Sequence, residues 1–84
     1  MSYFVYLLEC SDGTLYTGYT NNINKRLATH NSGKGAKYTR SRLPVKIVYC
    51  EEHFTKSAAL KREYIIRKMS RQKKEELVKK HLLS

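Results

Sequence analysis

The sequence predicts an α+β fold in which a small three-stranded antiparallel sheet is flanked by three helices, in the order β-β-α-β-α-α. The first observation behind this fold class is an apolar run that is followed by turn residues and an alternating run, which predicts a β-hairpin. The others are a later alternating run and three stretches with helical periodicity. The 84 residues suffice for one modest core, so residues 1–84 are expected to form a single domain.

The hairpin opens the chain. Residues 3–10 are mostly apolar or aromatic and contain no Gly or Pro, which is typical of a strand that is buried on both faces. Ser11-Asp12-Gly13 follows with turn chemistry, because Asp bonds the backbone after it and Gly accepts a positive φ. Residues 15–20 alternate in the pattern of a second strand.

The remaining elements follow from caps and periodicity. Asn21 or Asn22 caps a helix that ends near Gly33, with Ile23 and Leu27 on its buried side. The rest of the chain is predicted as a basic loop, a strand and two helices, at residues 34–43, 45–52, about 55–69 and about 70–81.

Two tyrosines lie near the middle of the paired strands, Tyr6 in the first and Tyr16 in the second, and Gly18 leaves open space beside them. Arg26 and His30 lie four residues apart on the next helix and therefore share a face. A hairpin with two phenols, followed by a helix with a cation and an imidazole, has the groups needed to bind a phosphate. Each residue alone is more often structural, since aromatic residues pack in sheets and exposed cations are commonly solvated.

The charge distribution indicates a polyanionic partner. Seventeen Lys and Arg residues against seven Asp and Glu leave a net charge of +10, and no acidic residue lies between Gly13 and Cys50. Nucleic acid is the usual partner of such a surface, although a ribosome-associated or merely soluble basic protein has the same pattern. Tyr38 either stacks on a base or covers the edge of the core. The candidate nucleic-acid contacts are Lys25, Lys34, Lys37, Tyr38, Arg40 and Arg42.

Other classes of function are disfavoured. No apolar stretch reaches the eighteen residues of a membrane span, and the N-terminus lacks a secretory signal, so we expect a cytoplasmic protein. The two cysteines lie in predicted strands, where buried reduced thiols are expected. No Cys and His spacing resembles a zinc site.

Glu63 fits a structural role least well. Its neighbours one turn away on the predicted helix, Ala59 and Ile66, are apolar, so the carboxylate lies at the margin of the buried face and loses hydration. An ion pair with Arg62, Arg67 or a cation of the first helix would explain it. A metal ligand is the alternative, because Mg²⁺ is commonly held by one carboxylate with waters and substrate oxygens.

These positions together resemble the GIY-YIG nuclease superfamily over roughly residues 3–78. The two halves of its motif stand as Phe4-Val5-Tyr6 and Tyr16-Thr17-Gly18, with Phe4 in place of the first glycine. The chain looks closest to the small stand-alone bacterial branch, whose GKGAKYT loop stands at residues 33–39.

The resemblance implies a catalytic site. Arg26 stands ten residues after Tyr16, at the position of the family's arginine, and Glu63 stands at that of its metal-binding acid. The implied reaction is hydrolysis of a phosphodiester with one Mg²⁺ or Mn²⁺. Tyr6 is the candidate base, which needs nearby cations because a phenol ordinarily has a pKa near 10. Arg26 would clamp the phosphate, and Tyr16 and His30 would orient it or relay the proton.

Such a site requires that Tyr6 and Tyr16 face the same pocket. A two-residue Asp12-Gly13 turn would place them on opposite faces of the sheet. A three-residue loop over residues 11–13, with Gly13 as a left-handed bulge, places them on the same face. We therefore predict the three-residue loop.

The resulting hypothesis is a metal-dependent DNA endonuclease, acting in DNA repair on branched or damaged DNA with little sequence preference. DNA is favoured over RNA as the partner. The competing hypothesis is a non-catalytic nucleic-acid-binding module that uses the same phosphate pocket. We expect a monomer without a further DNA-binding domain, so that an unidentified protein partner supplies specificity.

Overall fold

The structure, a computed structural model, describes residues 2–83 and confirms the predicted fold class. Met1 and Ser84, at the ends of the predicted domain, lie outside the described residues. No helix within residues 2–83 is long and apolar enough to span a bilayer. The elements are β1 (Tyr3–Glu9), β2 (Leu15–Thr20), α1 (Ile23–Asn31), α2 (Lys37–Arg40), β3 (Lys46–His53), α3 (Lys56–Arg67) and α4 (Arg71–Leu83).

The short helix α2 is the difference from the predicted order. The sequence predicts a loop over residues 34–43, but four of these residues form a helical turn. Its N-cap, Ala36, has no side chain that can cap the turn. Instead the Ala36 carbonyl accepts the backbone N–H groups of Thr39 and Arg40. A single turn without a capping side chain carries no local sequence signal.

Strand β1 is the centre of the sheet, whose order is β2-β1-β3 with antiparallel pairing throughout. This position explains the apolar run, because residues 5–8 are all buried. The β1–β2 register pairs Tyr6 with Gly18 and Leu8 with Tyr16. Tyr6 and Tyr16 therefore share a face of the sheet, as predicted.

The hairpin turn is the three-residue loop that this register requires. The Cys10 N–H donates to the Thr14 carbonyl at 2.9 Å, which leaves Ser11, Asp12 and Gly13 as the loop. Gly13 has φ +83°, in the left-handed region that favours glycine. The prediction against a two-residue turn is confirmed.

Helices cover both faces of the sheet. On the face of Tyr6, α1 packs Ile23 and Leu27 against the core, as predicted. On the other face, Ala59 and Ile66 of α3 contact Val5 and Leu7, with α4 alongside. Because β2 is an edge strand, side chains from both faces can meet around it.

Local signals explain where the helices begin. The Asn22 side chain accepts the Lys25 N–H at the start of α1, and Thr55 does the same for Ala58 at the start of α3. Both cysteines are free thiols, as expected, but only Cys10 is buried, whereas Cys50 is half-buried.

Candidate active site

A cavity of about 320 Å³ opens beside β2 and is lined by all the predicted catalytic and metal-binding residues except His30. Its lining combines phenols from one face of the sheet with a carboxylate from the helix on the other face. Predicted catalytic and metal-binding residues from four elements therefore converge. The lining residues are Tyr6, Tyr16, Thr17, Gly18, Tyr19, Arg26, Glu63 and Arg67.

Gly18 allows the Tyr6 phenol to reach this cavity. Tyr6 lies on the central strand, and its ring crosses directly above Gly18 of the edge strand. A Cβ atom at position 18 would lie 2.6 Å from Tyr6 Cζ and closer still to the hydroxyl oxygen. The missing side chain thus sets the position of the phenol.

A chain of hydrogen bonds runs inward from Tyr6. Its hydroxyl oxygen lies 3.1 Å from His30 Nε2, and His30 Nδ1 lies 2.9 Å from Thr39 Oγ1. The Thr39 hydroxyl donates to the Ala36 carbonyl at 3.0 Å. With the Thr39 proton directed at that carbonyl, the hydrogen-bond geometry assigns the Nδ1–H tautomer to His30, with Thr39 Oγ1 as the acceptor. In this assigned tautomer, His30 Nε2 accepts the Tyr6 O–H.

His30 lies behind Tyr6 and is fully buried. Gly35 allows the loop to close over it, since a Cβ there would lie 2.9 Å from His30 Cα. The imidazole has no surface with which to contact a phosphate. Of the two roles that the resemblance implies for His30, orienting the phosphate and relaying a proton, only the second is compatible with this position.

The electrostatics of Tyr6 differ from the expectation. Burial raises the pKa of the phenol, and this effect outweighs the Arg26 guanidinium, whose Nε donates to the hydroxyl at 3.4 Å. Arg26 does act to lower the pKa of Tyr6, as expected of a nearby cation, but desolvation dominates and the net direction is upward. Burial, together with Arg26, lowers the pKa of His30. The imidazole is therefore neutral near pH 7 and can accept a proton.

Arg26 stands between this cavity and a neighbouring one of about 450 Å³, since it lines both. The second cavity adds a cation, Lys56, at the first turn of α3, and one further phenol, Tyr3, while Tyr19 lines both cavities. Together the two cavities form a polar groove beside β2. The other residues of the second cavity are Thr20 and Asn21.

The two carboxylate oxygens of Glu63 have different surroundings. Oε1 forms an ion pair with Arg67 Nε at 3.2 Å, so one of the expected ion pairs is present. Oε2 is buried and has no partner among residues 2–83. The side chain is only 15% exposed. The ion pair therefore provides a partner for only one of the two carboxylate oxygens of Glu63.

The predicted nucleic-acid contacts divide into two groups. One group consists of exposed cations, whose charges face solvent: Lys25, Lys34, Lys37 and Arg40. The other group is engaged within the fold. Tyr38 stacks on Tyr16 at 5.9 Å between ring centroids, with Arg42 4.0 Å above its ring. Arg42 also pairs with Asp12 at 2.9 Å and donates to the Tyr38 carbonyl. Tyr38 is nevertheless 39% exposed, so its proposed contact with nucleic acid stays a prediction.

Comparison with known proteins identifies the family. Residues 2–76 match the profile of the GIY-YIG catalytic domain. The chain belongs to the GIY-YIG family. It is 58% identical to a UPF0213 protein of Bacillus licheniformis over 92% of this chain and 79% of that protein. It is also 58% identical to a UPF0213 protein of Staphylococcus aureus, over 93% of this chain and 95% of that protein.

Two solved structures have the same fold. An NMR structure of an E. faecalis protein is 42% identical, with a TM-score of 0.66 over 100% of this chain and 90% of that chain. An NMR structure of a UPF0213 protein from Bacillus halodurans is 48% identical, with a TM-score of 0.61 over 94% and 84%. The name UPF0213 specifies no reaction.

The residues fit the single divalent ion that the GIY-YIG resemblance implies. Glu63 Oε2 is a buried acceptor without a partner, inside the cavity that holds the phenols and Arg26. No group of three or more His, Cys, Asp and Glu side chains in residues 2–83 converges on one point. An ion here would rest on one carboxylate with waters and substrate oxygens, which suits Mg²⁺.

The sequence alone did not single out three residues of this GIY-YIG site. The sequence did contain a signal for Thr39, because this residue ends the GKGAKYT loop that the chain shares with the bacterial branch. Thr17 also had a signal, because it stands in the motif half Tyr16-Thr17-Gly18. Lys56 has no local signal, since only the packing of α3 against β2 brings it to the second cavity.

Proposed function

We propose that this chain is a metal-dependent endonuclease that hydrolyses phosphodiester bonds in branched or damaged DNA. The observation that supports the proposal is the hydrogen-bond chain from Tyr6 through His30 to Thr39. The Tyr6 end of this chain lies in the cavity that Arg26 and Glu63 also line. A buried imidazole with a fixed tautomer behind a phenol suits proton removal from an attacking water.

The proton path follows from the tautomer. As the water oxygen bonds to phosphorus, its proton passes to Tyr6 Oη, and the Tyr6 proton passes to His30 Nε2. The phenol thus need not exist as a free phenolate, which its raised pKa disfavours. Thr39 holds Nδ1–H throughout, so that Nε2 remains the accepting atom. The phosphorus–oxygen bond to the leaving sugar oxygen breaks, and that oxygen takes a proton from solvent. His30 is then an imidazolium, and it returns its proton through Tyr6 to solvent.

Arg26 and Glu63 act on the phosphate. The Arg26 guanidinium neutralises the charge that grows on the phosphoryl oxygens, and its loss is expected to lower the rate on the order of 10²- to 10³-fold. Glu63 would hold the Mg²⁺ or Mn²⁺, which supplies Lewis-acid stabilisation of the phosphate when bound. Tyr16 packs against His30, at 5.4 Å between ring centroids, and keeps the relay in place.

The substrate is bound through electrostatic contacts with its phosphates. The exposed cations Lys25, Lys34, Lys37 and Arg40 contact phosphates without reading sequence. Lys56 and Arg26 extend this track along the groove. We infer a monomer that acts in the cytoplasm, in DNA repair, with a partner protein that directs it to its target.

The test is cleavage of labelled branched and linear DNA by the purified chain with Mg²⁺, with Mn²⁺ or with EDTA. Wild type is expected to cut the branched DNA only with a metal. Arg26→Ala and Glu63→Gln are expected to lose activity. Lys80→Ala removes one exposed charge from α4 and is the matched control for Arg26→Ala.

The alternative is a nucleic-acid-binding module without catalysis. It predicts salt-sensitive DNA binding that survives Glu63→Gln, together with intact DNA in every metal. Equal cleavage by wild type and Arg26→Ala would also contradict the proposal, because it would indicate a contaminating nuclease.

A further inference from the structure

Two buried side-chain oxygens in residues 2–83 have no hydrogen-bond partner: Thr17 Oγ1 and Glu63 Oε2. Buried polar atoms are normally paired, because an unpaired one loses its hydration without compensation. Both residues line the same cavity beside β2. Their common location indicates a ligand that satisfies both oxygens.

The position of Thr17 follows from strand alternation. It lies between Tyr16 and Gly18, so it points to the face opposite Tyr6, where α3 packs and Glu63 lies. Thr17 is only 7% exposed. The two oxygens do not bond each other, since neither has a partner.

A threonine here is not explained by packing. Valine has nearly the same shape, favours strands as well and would leave no unpaired hydroxyl. Thr14 provides a contrast on the same hairpin, because its hydroxyl donates to Asp12 Oδ1 at 2.6 Å. The Thr17 hydroxyl thus has a cost in the folded protein that a bound water or ligand would offset.

We propose that Thr17 is a positioning residue of the ion site, whose hydroxyl accepts a hydrogen bond from a water of the divalent ion that Glu63 Oε2 ligates. This inference rests on the proposed metal-dependent reaction. Mg²⁺ and Mn²⁺ retain several waters when one carboxylate holds them, and such waters are strong donors. A hydroxyl oxygen accepts from them, and it fixes the hydrated ion beside the phosphate.

Metal binding without DNA tests the proposal. Mn²⁺ is titrated into the protein, and its affinity is followed by paramagnetic broadening of amide NMR signals. Thr17→Val is expected to weaken Mn²⁺ binding about 10- to 100-fold, whereas Thr17→Ser keeps the hydroxyl and binds as wild type does. Thr14→Val is the matched control and is expected to leave the affinity unchanged.

The melting temperature of the metal-free protein supplies a second measurement with the opposite sign. Thr17→Val removes an unpaired buried hydroxyl, so the melting temperature is expected to rise by about 4–8 °C. Thr14→Val breaks a satisfied hydrogen bond and is expected to lower it. A variant that is more stable yet binds Mn²⁺ more weakly cannot be explained by misfolding.

The outcomes separate this inference from the proposed function. Unchanged Mn²⁺ affinity in Thr17→Val, or equal loss in Thr17→Ser, would overturn the role of Thr17 even if DNA cleavage is observed. Mn²⁺ binding that depends on both Thr17 and Glu63, in a protein that cuts no DNA, would support the ion site and overturn the proposed reaction.

Discussion

Thr39→Val removes the group that fixes the tautomer of His30. The Thr39 side chain is fully buried, and its hydroxyl joins His30 Nδ1 at 2.9 Å to the Ala36 carbonyl at 3.0 Å. Valine fills the same space, so no cavity forms. It leaves the Nδ1–H without an acceptor inside the core, which costs about 1–3 kcal/mol of the free energy of unfolding. Urea titration measures this loss.

The effect on catalysis is expected to be larger than the effect on stability. Without Thr39, His30 loses the contact that keeps Nε2 free to accept the Tyr6 proton. General-base catalysis contributes about 10²- to 10⁴-fold, and most of this is expected to disappear from single-turnover cleavage rates. Thr39→Ser keeps the hydroxyl and is expected to restore the tautomer and most of the rate, although it loses the packing of one methyl group.

Long-range ¹H–¹⁵N spectra of the imidazole show the tautomer directly. Wild type and Thr39→Ser are expected to show the Nδ1–H form of His30. An Nε2–H form in wild type would refute the reasoning. So would a Thr39→Val variant that loses stability and cleaves DNA at the wild-type rate.

Three further predictions concern the same site and its surroundings. Gly18→Ala is expected to push the Tyr6 ring aside. This lowers the free energy of unfolding by about 1–3 kcal/mol in urea titrations, and it also lowers the cleavage rate. Unchanged values of both would show that the ring adjusts freely. The pKa of His30 is lowered in the folded state, so the unfolded state gains a proton first, near pH 6.5, and stability falls as the pH drops from 7 to 5. His30→Gln is expected to flatten that slope, and an equal slope in both proteins would contradict the assignment. Lys34→Ala is expected to reduce the salt dependence of DNA binding by about one phosphate contact. Arg42→Ala is expected to leave the salt dependence unchanged, because Arg42 is engaged within the fold. An equal reduction in both variants would show that Arg42 also contacts DNA.

Much of the fold was predictable because its signals are local. The apolar run of β1 follows from its central place in the sheet, and Asn22 caps α1 with its own side chain. The loop at Gly13 followed from a parity argument, since only an odd loop length places Tyr6 and Tyr16 on one face. The helix α2 was not predictable, because its one turn has neither a capping side chain nor an apolar period.

The sequence by itself determined which side chains are available for chemistry: the phenols, Arg26, His30 and the isolated carboxylate Glu63. Tertiary structure decided what each can do. Burial raises the pKa of Tyr6 against the effect of Arg26, and His30 is fully enclosed. Burial and hydrogen bonding depend on distances between segments as far apart as the 24 residues from Tyr6 to His30, and no local pattern in the chain encodes those distances.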